Sequence, residues 1–80
     1  MTNVRVRYVA SLREDAGCEI EEIATDCSSA ASLYEALRAR HGFRFELRHL
    51  RVAVNNRFES MDAALKAGDE VLFLPPVAGG

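Results

Sequence analysis

Apolar and polar positions alternate from Asn3 to Ala10, where Val4, Val6 and Tyr8 stand against Arg5, Arg7 and Val9. A period of two predicts a strand with its even-numbered set facing a core. Ser11 to Ala16 is polar with helical propensity, suggesting one short turn closed by Gly17. A second strand is expected over Cys18 to Ala24, with Ile20 inward and Glu19 and Glu21 outward. Glu22 beside Ile23 breaks that alternation and predicts a bulge or a strand end. The period then changes. Ala30, Leu33, Tyr34 and Leu37 fall at i, i+3, i+4 and i+7, the single apolar stripe of a helix. Ser28 or Ser29 suits its N-cap, Arg38 and Arg40 suit the negative end of its dipole, and Gly42 suits its left-handed stop.

Phe43 to His49 has no clear period, although Phe45 and Leu47 read as anchors. Arg51 to Asn55 is a third strand, with Val52 and Val54 alternating against Ala53. Asn55-Asn56 tolerates positive φ and predicts a tight turn into a short return strand, Arg57 to Glu59. Asp62 to Leu65 reads as a single helical turn, Lys66 to Asp69 as another turn, and Glu70 to Leu74 as the last strand. The order is strand, strand, helix, strand, short strand, strand. No repeat or linker divides it, so one α+β domain is expected.

Composition narrows the function classes. Of the 80 residues 49% are apolar and 28% charged, with 10 basic against 12 acidic side chains. This is an ordinary globular balance, and a net charge of −2 excludes a strongly basic nucleic-acid binder. No apolar run is long enough to span a bilayer, and Met1 leads into polar residues rather than a secretory signal, so the expected compartment is the cytoplasm. Cys18 and Cys27 lack CxxC spacing and clustered histidines, which favours two reduced thiols over a redox pair or half a metal site. No metal is expected.

A catalytic constellation is missing too. His41 and His49 lie in no recognisable motif, and Glu19, Glu21 and Glu22 read as a solvated acidic edge rather than an acid/base pair. There is no GxGxxG and no glycine-rich phosphate loop. Arg38 to Arg51 holds five arginines and two histidines against Glu46, with Phe43 and Phe45 interleaved. Cationic and aromatic side chains together can stack on single-stranded bases or meet an acidic partner; the simpler reading is an outer helix face with buried phenylalanines.

The end of the sequence is more telling: Asp69-Glu-Val-Leu-Phe-Leu-Pro-Pro-Val-Ala-Gly-Gly80. Pro75 and Pro76 cannot donate to a sheet ladder, so the strand stops there and the chain is biased to extended geometry. Six residues, 75–80, reach roughly 19 Å at about 3.1 Å each. Gly79 and Gly80 form a tip without side chains, able to thread a narrow channel and bring a terminal carboxylate to a nucleotide's α-phosphate. Activation as an acyl-adenylate and displacement by sulfur or an amine would then be ordinary acyl transfer. Chance puts two glycines at a chain end roughly once in two hundred chains at about 7% glycine per position. Paired prolines and an apolar Val77 are also unlike a frayed polar tail.

The stretch Val52-Ala-Val-Asn-Asn56 together with Gly68 through Gly80 resembles the small subunits of molybdopterin synthase, a family of ubiquitin-like sulfur carriers. The likeness is strongest over the last 29 residues; over the first 50 it rests on element order and the Leu33–Leu37 helix. It implies a single-domain β-grasp fold over residues 1–74, a mixed sheet packed on one main helix, with an extended tail over 75–80. It implies a carrier with no catalytic site of its own and no permanently bound cofactor. A ubiquitin-activating-type enzyme would use ATP and magnesium to adenylate Gly80. A persulfide donor would convert Gly80 to a thiocarboxylate. Pro75, Pro76, Val77, Ala78 and Gly79 would thread into the large synthase subunit, where the sulfur passes to cyclic pyranopterin monophosphate. A sulfur carrier for thiamin or another metabolite, a protein modifier joined through Gly80, and a binding module with an incidental tail are the alternatives.

Val71 to Leu74 is apolar throughout, where a strand with one solvated face should alternate. With Val71 and Phe73 facing the helix, Leu72 and Leu74 point the other way. Together with Phe58 they are expected to form an apolar patch that docks the large subunit and the activating enzyme, unless a loop of the same domain covers them.

Overall fold

In a computed structural model, residues 1–76 are described. The chain runs β1 (Thr2–Tyr8), α1 (Ala10–Ala16), β2 (Ile20–Thr25), α2 (Ala30–His41), a 3₁₀ turn (Leu47–His49), β3 (Arg51–Val54), β4 (Arg57–Glu59) and β5 (Glu70–Leu74). The strands form one sheet in the order β2-β1-β5-β3-β4. β1 and β5 are parallel at its centre; the other pairings are antiparallel. This is the expected mixed α+β sheet on one main helix. Val4, Val6, Tyr8, Val52, Val71 and Phe73 cover one face of the sheet and share a core with Ala30, Leu33, Tyr34 and Leu37 of α2.

The helix has the expected boundaries. Ser29 accepts from the Ser32 N–H at 3.1 Å, and the Ser32 hydroxyl accepts from the Ser29 N–H at 3.2 Å, a reciprocal cap. Gly42 closes it at φ 72°, donating its N–H to the Arg38 carbonyl. Asn55 and Asn56 take φ 53° and 71°, the paired left-handed residues of a type I′ hairpin between β3 and β4.

Four local expectations are corrected. Residues 11–16 are not a single turn: with Ala10 they make a two-turn helix, because Leu12 is fully buried and anchors it. Ile20 faces outward, 39% exposed, while Glu21 lies half-buried on the core side. Val4 opposes Ile23 and Val6 opposes Glu21, so the odd-numbered residues of β2 share the face of Val4 and Val6. Ile20 and Ile23 are three apart and cannot share a face of one strand; the deep position went to Ile23. The register runs unbroken from Ile20 to Thr25, so there is no bulge at Glu22. Asp62 to Leu65 is not a helical turn either. Ala63 and Met61 accept from the N–H groups of Ala30 and Ala31, and the Leu65 N–H donates to Ser28. Asp62 lies in a turn closed by the Ala63 N–H on the Ser60 carbonyl, and the chain then runs extended through a bridge between Ala64 and Ser29, satisfying free donors of α2's first turn.

Tyr34 ties the patternless middle of the chain to the core. Its hydroxyl donates to the Phe45 carbonyl at 2.6 Å, and its ring stacks on Phe43 at 5.6 Å and tilts against Phe73 at 5.2 Å. Burial pushes its phenol up to about 12. Phe73 is fully buried on the central strand and brings the sheet into this aromatic group. Phe73→Ala is expected to cost about 3–5 kcal/mol in urea unfolding. An 80-residue domain has only about 4–12 kcal/mol in total, so the variant should be close to unfolding. A loss below about 1 kcal/mol would mean that Phe73 does not organise the core.

Candidate functional site

β5 lies between β1 and β3, so the chain leaves the sheet from its middle. Pro75 and Pro76 follow Leu74 at once, and without an N–H they end the ladder there. Val71 and Phe73 are fully buried toward α2, while Glu70, Leu72 and Leu74 are half-buried on the opposite face. On that face Ile20, Arg7, Leu72, Ala53 and Phe58 form one row across all five strands. Leu74 and Arg51 are paired in the next row toward the tail. Phe58 is 69% exposed. Leu74, Pro75, Pro76 and Phe58 line a cleft of about 390 Å³ with His49 and Arg51 at its rim. The structure thus brings Leu72, Leu74 and Phe58 onto one open face beside Pro75 and Pro76. Val77, Ala78, Gly79 and Gly80 lie outside the described residues.

Charge is unevenly spread over this face. The next row away from the tail holds Glu22, Arg5 and Glu70, with Arg5 Nε 2.9 Å from Glu22. Arg7 Nε is buried without a hydrogen bond among the described residues and stands 3.7 Å from Glu70. Arg51 is exposed and has no carboxylate within ion-pair distance among the described residues. Sequence reading missed Arg7, Ala53 and Arg51 as members of the face. Their types carry no signal; only the strand register does.

A second cluster forms where β1, β2 and the end of α2 meet. Glu21 accepts from the Tyr8 hydroxyl at 2.7 Å, lies 2.9 Å from His41 Nε2 and 3.1 Å from Arg40. An ionised carboxylate only accepts, which assigns the proton to His41 Nε2. Burial raises the Glu21 carboxyl, but the Tyr8 and His41 hydrogen bonds and the Arg40 charge outweigh it, holding it below the usual range. Burial and the same carboxylate push the Tyr8 phenol up. Asp15 is held low by its hydrogen bonds from Arg44, the shortest 2.8 Å. Glu21 is therefore a structural hub rather than a member of a solvated edge. Groups with depressed carboxyl values stabilise the fold above the ordinary values of about 4, and that stability is lost as pH falls through the folded values. The Tm is expected to fall more steeply below about pH 4 in the wild type than in Glu21→Gln. Parallel profiles would show that the cluster contributes nothing to acid stability.

The arginine-rich segment is largely neutralised within the chain. Arg40, Arg44 and Arg48 pair with Glu21, Asp15 and Glu46, and Arg38 Nε donates to the Phe43 carbonyl. Phe43 is buried and Phe45 packs against the core, so neither offers a face for stacking bases. Cys18 and Cys27 are half-buried free thiols against the same core. Among the described residues no group of His, Cys, Asp and Glu could hold a metal ion, and no helix is long and apolar enough to cross a membrane.

Comparison with known proteins adds what this geometry alone lacks. The chain matches the ThiS family over residues 6–80, a span that takes in the whole sheet after Arg5 and the tail through Gly80. The chain belongs to this family. It is 36% identical over 80 residues to the molybdopterin synthase sulfur carrier subunit of Escherichia coli K12, covering 96% of this chain and 99% of that protein. SAMP1 from Haloferax volcanii superimposes with a TM-score of 0.78 at 26% identity, over 98% of this chain and 99% of that one. A third relative was solved as a protein–protein complex of subunits 1 and 2 of the molybdopterin-converting factor from Helicobacter pylori. It matches with a TM-score of 0.67 at 26% identity, over 99% of this chain and 100% of that one. The fold is the ubiquitin-like β-grasp, as the resemblance implied. By homology the chain groups with the molybdopterin synthase sulfur carrier subunits.

Proposed function

We propose that this protein carries sulfur on Gly80 for molybdopterin synthesis. An adenylating enzyme of the ubiquitin-activating type joins the Gly80 carboxylate to AMP, releasing pyrophosphate from magnesium-bound ATP. The outer sulfur of a persulfide donor displaces AMP, and a thiol then cleaves the new S–S bond to leave a thiocarboxylate. The charged tail, Pro75 through Gly80, enters the large synthase subunit and passes its sulfur to cyclic pyranopterin monophosphate, regenerating the carboxylate. The protein is a cycling co-substrate here, and the catalytic groups belong to its partners. One observation carries the reading: the family match runs through residue 80 and so includes the Pro-Pro-Val-Ala-Gly-Gly tail. The exit of that tail from the central strand beside an open apolar face supports it, because a narrow channel and a docking surface can then be engaged together.

The test is intact mass after incubation with the adenylating enzyme, ATP, magnesium and a persulfide source. Exchange of one oxygen for sulfur, localised to the C-terminal peptide, is the expected result. An unchanged mass beside a related carrier that is charged by the same mixture would overturn the reading.

A further inference from the structure

The outer face of the sheet says something about the surface it meets. Leu72 on β5 is flanked by Arg7 on β1, and Leu74 by Arg51 on β3. The two leucines therefore stand between two guanidinium groups, one on either side of the strand that leads to the tail. Half of the ten basic side chains are matched closely by the chain's own carboxylates: Arg5 by Glu22, Arg13 by Glu19, Arg40 by Glu21, Arg44 by Asp15 and Arg48 by Glu46. Of the two beside the leucines, Arg7 has only the long contact to Glu70 and Arg51 has none among the described residues. Arg51 has no carboxylate in range among the described residues, and it lines the cleft with Leu74, Pro75 and Phe58. Arg7 Nε is 3.7 Å from Glu70, beyond hydrogen-bond reach, and has no acceptor among the described residues. The Arg7 side chain as a whole is 42% exposed, so its guanidinium stays open to a further acceptor.

We propose that the protein surface receiving the tail is apolar at its centre and carries carboxylates that meet Arg51 at the tail exit and Arg7 beside Leu72. This rests on the carrier reading, and its occupant is the large subunit of molybdopterin synthase. The argument is charge complementarity. A partner that covered Leu72 and Leu74 with apolar side chains alone would strip water from two guanidinium groups without replacing it, a heavy cost. Carboxylates at those two points replace the lost hydration, and Arg favours them because its planar fork binds a carboxylate in two places. They also set the register of docking, so that the tail meets its channel. The opposite end of the same face, with Glu22 and Glu70 around Arg5, disfavours a docking pose turned end for end.

The experiment is calorimetric titration of the full chain with the large subunit from the same organism, at low and at physiological ionic strength. Arg51→Glu is expected to weaken binding about tenfold or more and to flatten its salt dependence. Arg51→Gln should fall between that variant and the wild type, and Arg7→Glu should weaken binding in the same direction. Arg57→Glu is the control, since Arg57, like Arg51, has no ion pair among the described residues but lies on the opposite side of β4 from Phe58; it should bind within about twofold of wild type. Thermal unfolding of each variant confirms that the fold is kept. Binding by Arg51→Glu and Arg7→Glu at wild-type strength and salt dependence, with Leu74→Asp unable to bind, would overturn the acidic partner and leave the carrier reading standing. A wild-type chain that does not bind the large subunit at all would overturn both.

Discussion

Leu74→Asp is expected to fold normally and to lose the large subunit almost completely. Leu74 is half-buried on the face away from α2, so its replacement opens no cavity among the side chains of the core. Its register partner is Arg51, which would take up the new carboxylate, and stability should change by about 1 kcal/mol or less. Docking is different. Apolar anchors near the middle of an interface carry most of its energy, and a carboxylate forced into such a centre must shed its water. The loss should be about 3 kcal/mol or more, over a hundredfold in affinity. The new carboxylate would also compete with the partner for Arg51, adding to the effect. The measurements are Tm for the variant alone and titration against the large subunit. A variant that binds as the wild type does would move the docking surface away from this face.

A chain lacking only Gly80 should show the converse: docking retained and sulfur transfer lost. One residue shortens an extended tail by about 3.3 Å. Acyl transfer needs its reacting atoms about 3–3.5 Å apart, and misplacement by even about 1 Å can cost a hundredfold. The shortened carboxylate would therefore stop short of the nucleotide's α-phosphate, and charging should fall about a hundredfold or more. Leu72, Leu74 and Phe58 are untouched by the deletion, so affinity for the large subunit should stay within about threefold. Charging followed by intact mass, beside the same titration, checks both halves. Equal charging of the shortened and full chains would show that Gly80 is not the acceptor. The two variants thus fail at different steps, and only a carrier that separates docking from chemistry behaves in this way.

Much of this could be read before any coordinates, because it depends on local rules. Helix α2 has its stripe, its serine cap and its terminal glycine within a dozen residues, and each is a short-range preference of backbone and side chain. The Asn55-Asn56 hairpin is equally local. Leu72 and Leu74 were legible as a second face because an uninterrupted apolar run in a short strand must point somewhere on both sides. The end of β5 at Leu74 was legible because proline acts through the backbone itself.

What failed to show was set by pairing between distant strands. Ile20 and Glu21 exchanged their expected places because the face each occupies follows from opposing Arg7 and Val6, more than ten residues earlier in the chain. Glu21, read alone, is one more acidic residue; it becomes a hub only where Tyr8 of β1 and Arg40 and His41 of α2 converge on it. Asp62 to Leu65 became a turn and an extended bridge rather than a helical turn because the first turn of α2 needed acceptors, a demand invisible in their own composition.

The sequence by itself therefore determined the elements, the cap and turn positions, the double-sided last strand and the Pro-Pro to Gly-Gly tail. Each follows from the stereochemistry of a few neighbouring residues. Only the tertiary structure decided which arginines flank the leucines, that Phe58 and Leu74 open on one cleft with Pro75, and that the tail leaves from the centre of the sheet. Those facts depend on register. A shift of one residue in a strand turns every side chain to the other face, and that choice is made by the partners a strand finds far away in the chain.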